Sequence, residues 1–332
     1  MEKERYDWID YAKFISIFLV ISFHTPPHVT GYIGELIRQL RMPAFFLISG
    51  FLFNFEKFQS FIYFFKHRSI QLLIPYVSFF FIFYFLWLIF GNYLGEKEDI
   101  NSTFYQPIIE FIYGNPQIIT APYWFICCLF SIQIIYYLLK KNIPNYLIFP
   151  ICLIFPFINC MADFYALPWN ISNAFKYIPF YAFANQYKIY IKKIDKISPL
   201  IIVLGLSYFI IIYYLTYTDN NFLKTLLFII SGISILPVYI LFCKSIANIF
   251  KRKYIIQYIG KNTIIILALQ NYVIGVIKII CYKFGGNNFF EGKYLLNILI
   301  SLFVIAIIYI PIIIINRYFP FIIGRGKYFQ YK

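Results

Sequence analysis

The sequence predicts an all-α polytopic membrane protein of about ten transmembrane helices, with both termini on the cytoplasmic side. Three observations predict this fold class: the composition, the number of long apolar runs, and the alternation of charge between them. Of the 332 residues, 61% are hydrophobic, 23% are aromatic and only 13% are charged. A water-soluble core cannot bury that much apolar surface, so the lipid bilayer is the expected solvent.

A helix needs about 20 mostly apolar residues to cross a bilayer. The runs that qualify, or nearly do, are residues 9–23, 42–55, 69–90, 122–139, 144–161, 175–187, 198–217, 222–243, 263–282 and 294–315. The second and sixth runs are short, so we expect those helices to be tilted, shielded by neighbours, or to begin earlier. No small-residue cleavage site follows the first run, which predicts a retained span rather than a signal peptide. We expect one membrane-embedded domain over residues 1–332 and no soluble domain.

The links between these runs alternate in charge. One set is basic and contains Lys57, Lys66 and Arg68; Lys140 and Lys141; Lys188, Lys192, Lys193 and Lys196; Lys244, Lys251, Arg252 and Lys253; and Arg317, Arg325, Lys327 and Lys332. The other set is poorer in Lys and Arg, and its longest member carries an acidic stretch at residues 96–99. The positive-inside rule makes the basic set cytoplasmic, which places both termini inside and requires an even number of spans.

The net charge of +15 has the same explanation. The basic residues form short clusters between apolar runs rather than a continuous stripe, so we expect no nucleic-acid partner. The six Cys lie mostly within apolar runs and show no paired metal-ligand spacing. They are expected to be small, reduced core residues, and no metal site is predicted.

Ionisable residues in the first predicted span are the strongest functional signal in the sequence. Lys13 and His24 are eleven residues apart, so in a helix they lie within about 20° of the same face and roughly 16 Å apart along the axis. Such groups usually face a bundle interior or a wet cavity, because exposing them to lipid is costly. The alternative is structural: Lys13 extends to the near interface and His24 lies among the headgroups where the helix ends.

The first two spans resemble the acyltransferase 3 family, which comprises integral-membrane O-acyltransferases that modify sugars and polysaccharides. The resemblance is carried by Asp10-x-x-Lys13, by the ten residues between Lys13 and His24, and by Met42-Pro43-x-Phe45-Phe46-x-x-Ser49-Gly50-Phe51. It covers nearly the whole chain and is weak beyond the third span. In that family the cation is Arg or Lys, and the His beyond it is the proposed catalytic residue.

The resemblance implies transfer of an acyl group from a thioester to a hydroxyl, which needs a base and groups that stabilise an oxyanion. His24 is the expected base, because His28 and His67 lie in a loop and in a basic cluster. The family implies that Lys13, which Asp10 can contact on one helix face, fixes the donor or the charge pattern of a pore. The alternative for Lys13 and Asp10 is an interfacial ion pair.

Arg41 and Ser49 are the candidate binding residues of the second span. Arg41 precedes Met42-Pro43, and its alternative role is that of an interface anchor. Ser49 either bonds substrate or, with Gly50, lets two helices approach closely.

Further candidates lie beyond the second span. A family segment thought to serve the acyl-CoA has two Arg three residues apart, and here Arg68 fills the first position while Gln71 replaces the second. A Gln can hydrogen-bond a phosphate without neutralising it, and anchoring by the positive-inside rule is the alternative role of the segment. Trp124 resembles a Trp-Phe motif of the family and equally suits an aromatic belt. Gln270 stands where many members have His.

The predicted function is therefore that of a membrane-bound O-acyltransferase in the inner or plasma membrane. The resemblance implies acetyl-CoA as donor and a lipid-linked glycan or cell-surface polysaccharide as acceptor. With a cytoplasmic donor and His24 near the outer face, either the pantetheine arm reaches through a pore or the acyl group is first handed to a protein residue. A glycan transporter or flippase, or a glycan polymerase, is the alternative class.

Overall fold

The computed structural model describes residues 6–90, 104–162, 167–250, 254–285 and 294–326, and no strand occurs in these ranges. The acidic stretch at residues 96–99 lies outside them. Their α-helices are α1 (Asp7–His24), α2 (Gly31–Leu52), α3 (Phe61–Arg68), α4 (Ile74–Phe90), α5 (Gln106–Tyr113), α6 (Trp124–Asn142), α7 (Asn145–Ala162), α8 (Ile171–Gln186), α9 (Lys188–Lys192), α10 (Pro199–Tyr217), α11 (Asn221–Ile249), α12 (Tyr254–Lys261), α13 (Thr263–Gly285) and α14 (Tyr294–Tyr318). A π-helical turn, Ser69–Leu73, joins α3 to α4.

Every predicted span coincides with a helix. Seven helical segments of the described chain are long and apolar enough to cross a membrane: Phe61–Ile89, Ala121–Asn142, Asn145–Ala162, Pro199–Tyr217, Asn221–Ile249, Thr263–Lys283 and Tyr294–Tyr318. The other three predicted spans correspond to α1, α2 and α8. Helix α8 has only 16 residues, whereas α1 and α2 are long enough but each carries three charged residues. The helices least typical of a membrane span thus hold most of the candidate site.

Several boundaries differ from the sequence prediction; the third span, for example, is helical from Phe61 rather than from residue 69. Helix α2 begins at Gly31, eleven residues before the predicted start at residue 42. Its first half is polar, so an apolar run does not mark it in the sequence. The predicted link over residues 91–121 contains a further helix, α5, which Gly114 ends in a left-handed conformation at φ 78°.

The described residues form two compact units. The first comprises those of Met1–Phe53, Asn142–Asp163 and Phe175–Ile310, and the second those of Asn54–Lys141, Phe164–Ala174 and Pro311–Lys332. In the first unit α1 packs against α2, α11, α12 and α13, and α10 packs against α11. Glycines permit the closest approaches: a Cβ on Gly260 would overlap the carbonyl of Asp10, and one on Gly50 would overlap the carbonyl of Tyr181.

Aromatic stacking dominates the second unit. Tyr76 stacks on Phe111 at 4.7 Å between ring centroids and donates a hydrogen bond to the Phe111 carbonyl at 2.7 Å. Phe64 stacks on Tyr137 at 4.3 Å. Four of the six Cys are buried, two of them in each unit, and all six are free thiols. The expectation of small core residues is therefore confirmed for Cys127, Cys128, Cys152 and Cys243.

Candidate active site

His24 is the last residue of α1, at the point where the chain leaves the helix. Its ring is half-buried and contacts that of Phe23 edge-on at 5.4 Å. The end of α1 is held by Asn297 of α14, which accepts a hydrogen bond from Ser22 Oγ at 2.6 Å. The Asn297 amide nitrogen in turn lies 2.8 Å from the Ser22 carbonyl and 2.7 Å from that of Thr25. These bonds satisfy carbonyls that the end of α1 leaves without helical partners, and they fix the position of His24.

Arg41 of α2 lies beside His24. Its guanidinium is stacked 3.5 Å from the centroid of the Phe23 ring, which is within the range of a cation–π contact. The Arg41 Nε is buried and has no hydrogen-bond partner among the residues that the structure describes. Arg41, His28 and Lys278 are all close enough to His24 to act on its charge. The structure therefore brings together two sequence-predicted residues, His24 and Arg41, around one phenyl ring.

The first half of α2 adds a polar group to this end of the unit. Arg38 pairs with Glu35 through two hydrogen bonds of 2.7 Å and 2.9 Å, and Gln39 donates to the same carboxylate. Lys176 of α8 is close enough to both Glu35 and Arg38 for electrostatic interaction. Arg38 is also close enough to Arg41 for electrostatic interaction. Arg41 of α2 and Lys278 of α13 thus lie near His24, and the polar group of α2 extends from there to Lys176 of α8.

Asp10 and Lys13 lie near the opposite end of α1. Asp10 is buried, with its backbone against Gly260 of α12, and Lys13 is half-buried. Close to them, Tyr239 of α11 donates a hydrogen bond of 2.6 Å to the Ala12 carbonyl and lies 2.7 Å from Ser16 Oγ. Asp10 and Lys13 are therefore placed on a rigid part of α1, separated from His24 along the helix as the sequence predicts.

Ser49 and Gly50 fall at the contact between α2 and α8. Gly50 is buried against the backbone of Tyr181, and its carbonyl accepts a hydrogen bond of 3.1 Å from Asn185. Ser49 is half-buried and forms no hydrogen bond with another described residue. The close approach of helices predicted for this pair is confirmed at Gly50, while a substrate role for Ser49 stays a prediction.

Three predicted binding residues belong to the second unit. Arg68 donates a hydrogen bond of 2.9 Å to Gln71 and lies 5.3 Å from the centroid of Phe58. Arg68 precedes the π-helical turn and Gln71 lies within it, and such a distortion often marks a functional site. Trp124 is half-buried at the start of α6, with its ring 6.5 Å from that of Phe125.

Sequence reasoning missed Asn297, Lys176 and Lys278. Each is a lone polar or charged residue inside an apolar run, and that pattern is the signal by which it can be found. Gln270, noted for its place in the family pattern, is fully buried in α13, and neither polar atom of its amide has a hydrogen-bond partner.

The fold and the site define a class of protein: an integral membrane protein of several apolar helices, with a histidine and cations gathered at one end of its first unit. Residues 6–325 match the family model described as an acyltransferase domain. The chain belongs to the acyltransferase 3 family and is a multi-pass membrane acyltransferase. Comparison with curated proteins and with solved structures gives no significant match.

Proposed function

We propose that the protein transfers an acetyl group from acetyl-CoA to a hydroxyl of a cell-surface or lipid-linked glycan, with His24 as the general base. The observation that carries the proposal is the half-buried imidazole of His24 near Arg41, in a chain whose family is one of acyltransferases. The Asn297 contacts hold the segment before and after this imidazole, as a base that must meet a hydroxyl requires.

In the proposed reaction the neutral imidazole of His24 accepts the proton of the acceptor hydroxyl. The hydroxyl oxygen attacks the thioester carbonyl, a C–O bond forms, and the C–S bond breaks. The imidazolium then gives its proton to the departing thiolate, so that the products are the ester and free CoA. The cation of Arg41, beside His24, supports the negative charge that develops on the carbonyl oxygen.

The other predicted residues support the donor in this proposal. Lys13 and Asp10 lie toward the end of α1 that the positive-inside rule makes cytoplasmic, where acetyl-CoA is available. Arg68 offers a cation for a phosphate of the donor, and Gln71, which already accepts a hydrogen bond from Arg68, orients that cation. Ser49 in the first unit and Trp124 in the second are each proposed to bind substrate.

Replacement of His24 tests the proposal, with His28→Ala as the matched control. His28 is exposed in the following loop, and its Nδ1 lies 3.3 Å from the Phe23 carbonyl. We expect His24→Ala to reduce acyl transfer at least 100-fold, the lower part of the range for general acid–base catalysis, and His28→Ala to change it less than about threefold. Membrane insertion of each variant is checked by its yield and thermal midpoint.

Mass spectrometry of the surface glycan provides the cellular readout. Cells that carry wild-type protein should show a glycan heavier by one or more acetyl groups than cells that lack the gene, and His24→Ala should match the cells without the gene. Wild-type acetylation in the His24→Ala variant would remove His24 from the mechanism. A shortened or absent glycan chain without an acetyl difference would instead indicate a transporter or polymerase.

A further inference from the structure

Four cationic side chains lie in the part of the first unit that contains His24, and three of them take no part in the proposed reaction. They are Arg38 and Arg41 of α2, Lys176 of α8 and Lys278 of α13, and we refer to them as the cationic cluster. Lys176 lies within electrostatic range of Arg38, and Arg38 within that of Arg41, while Arg41 and Lys278 both lie within electrostatic range of His24. All four residues belong to the first unit.

The charge of the cationic cluster is not balanced within the described part of the chain. Glu35 is the one carboxylate in these contacts, and Arg38 occupies it with an ion pair of 2.7 Å. Arg41, Lys176 and Lys278 form no hydrogen bond or ion pair with any described residue. Glu35 acts on Lys176 as well as on Arg38, so among the described residues one carboxylate is shared by the cationic cluster, and such an excess of positive charge is costly within a membrane protein unless a ligand balances it.

Lys176 is also accessible. It is exposed, although the side chains it lies against, Tyr177 and Phe228, are buried. Its ammonium lies 4.6 Å from the centroid of the Phe228 ring, and the Tyr177 ring is in turn stacked on Phe46 at 4.8 Å. The ammonium thus lies against packed aromatic rings, while part of the side chain stays solvent-accessible.

Membrane topology does not explain the cationic cluster. Helix α1 ends at His24, whereas Arg38, Arg41 and Lys176 lie in the first halves of α2 and α8. The positive-inside rule places this end of the first unit outside the cytoplasm, where the links are poor in Lys and Arg. An interface anchor is therefore the weaker explanation for these residues, and a ligand from the outer side is the stronger one.

We propose that the cationic cluster binds an anionic group, a carboxylate or a phosphate, of the acceptor glycan and thereby places a neighbouring hydroxyl at His24. This inference rests on the proposed function and adds to it that the acceptor is acidic. Bidentate binding by an arginine and point charges from two lysines are the usual means of holding such groups.

Kinetics of Lys176→Gln and Lys278→Gln test the inference, because glutamine keeps most of the side-chain length and removes the charge. The full chain is used in phosphatidylcholine nanodiscs, with acetyl-CoA and with surface glycan prepared from cells that lack the gene. We expect each variant to raise the KM for the glycan about tenfold, equal to about 1.4 kcal/mol, and to leave the KM for acetyl-CoA within twofold. Lys176→Arg, which keeps the charge, should stay close to wild type.

Lys224→Gln is the matched control. Lys224 lies one turn before Phe228 in α11 and is only 4.0 Å from Asp219, outside the cationic cluster. It should leave both KM values within twofold. A rise in the KM for acetyl-CoA alone would assign the cluster to the phosphates of the donor and overturn the proposal, as would unchanged kinetics in both lysine variants.

Equilibrium binding separates this inference from the proposed function. The same glycan, fluorescently labelled, is titrated into wild-type nanodiscs before and after its carboxylates are reduced to alcohols and its phosphates are removed. Binding that depends on those groups and on Lys176 supports the inference even if no acetyl transfer is observed. Transfer to a glycan that binds equally well without them overturns the inference and leaves the proposed function standing.

Discussion

The side-chain amide of Asn297 and the hydroxyl of Ser22 are joined by a hydrogen bond of 2.6 Å, although 275 residues separate them in the chain. Asn297 is fully buried, and its amide nitrogen also reaches the carbonyls of Ser22 and Thr25. One side chain of α14 therefore holds the residues on both sides of His24. This makes Asn297 a positioning residue for the proposed base.

Replacing Asn297 by Ala should lower both the rate and the stability. Each buried carbonyl left without a donor costs about 1–3 kcal/mol, so we expect a lower thermal midpoint. Because the end of α1 is also released, kcat should fall at least tenfold at temperatures where the variant is fully folded. Acetyl transfer by purified protein and thermal unfolding in nanodiscs measure the two effects.

A double-mutant cycle with Ser22→Ala shows whether the two residues act together. Ser22→Ala removes only one of the bonds, and we expect the double variant to be scarcely slower than Asn297→Ala alone. Additive losses in kcat would contradict a shared positioning role. Asn316→Ala provides a control on the same helix, because Asn316 is near its other end and donates to the Ile312 carbonyl at 2.8 Å.

Arg41 should respond differently to Lys and to Gln. Lysine keeps the positive charge but loses the planar stacking on Phe23, which contributes about 0.5–2 kcal/mol, so a loss of up to about 30-fold is expected. Glutamine also removes the charge that supports the oxyanion, and kcat should fall by a further factor of about 10. A Gln variant as active as the Lys variant would show that the charge of Arg41 plays no part in the reaction.

Gly260→Ala should destabilise the protein, because the added methyl would overlap the backbone carbonyl of Asp10. Neither backbone can move without separating α1 from α12, so a cost of roughly 1–3 kcal/mol is expected. Gly275→Ala is the control: nothing lies within 4 Å of its added methyl, and alanine favours a helix by about 1 kcal/mol over glycine. Thermal unfolding should rank the three proteins with Gly260→Ala lowest, and equal midpoints would refute the close contact.

Much of the fold could be predicted from the sequence, because long apolar runs determine the helices directly. The first half of α2 was harder, since Glu35, Arg38 and Arg41 make it unlike a membrane span. The structure shows that Arg38 pairs with Glu35 and that Arg41 stacks on Phe23, contacts that the sequence alone does not reveal.

The candidate site could be predicted only in part, because some of its residues belong to recognisable sequence patterns and others do not. His24 and Arg41 stand beside recognisable patterns, and their proximity around Phe23 follows from the packing of α1 on α2. Asn297 is marked in the sequence only as a lone polar residue in an apolar run, and its partners, which lie at the other end of the chain, are shown only by the fold. Lys176 and Lys278 are isolated charged residues in apolar runs, and only the fold places Lys176 near Arg38 and Lys278 near His24.

The attachment of α1 at both ends has a consequence for how the donor is used. The Asp10 end of α1 packs closely on Gly260 of α12, and the His24 end is hydrogen-bonded to Asn297 of α14. An unbroken helix connects the two ends. The separation of roughly 16 Å along the helix axis between Lys13 and His24 is therefore expected to stay constant. In the proposed reaction, a donor that binds at Lys13 must present its acyl carbon at His24 on a flexible arm of that length. Thioesters with a shortened arm should therefore be poor substrates even when they bind tightly.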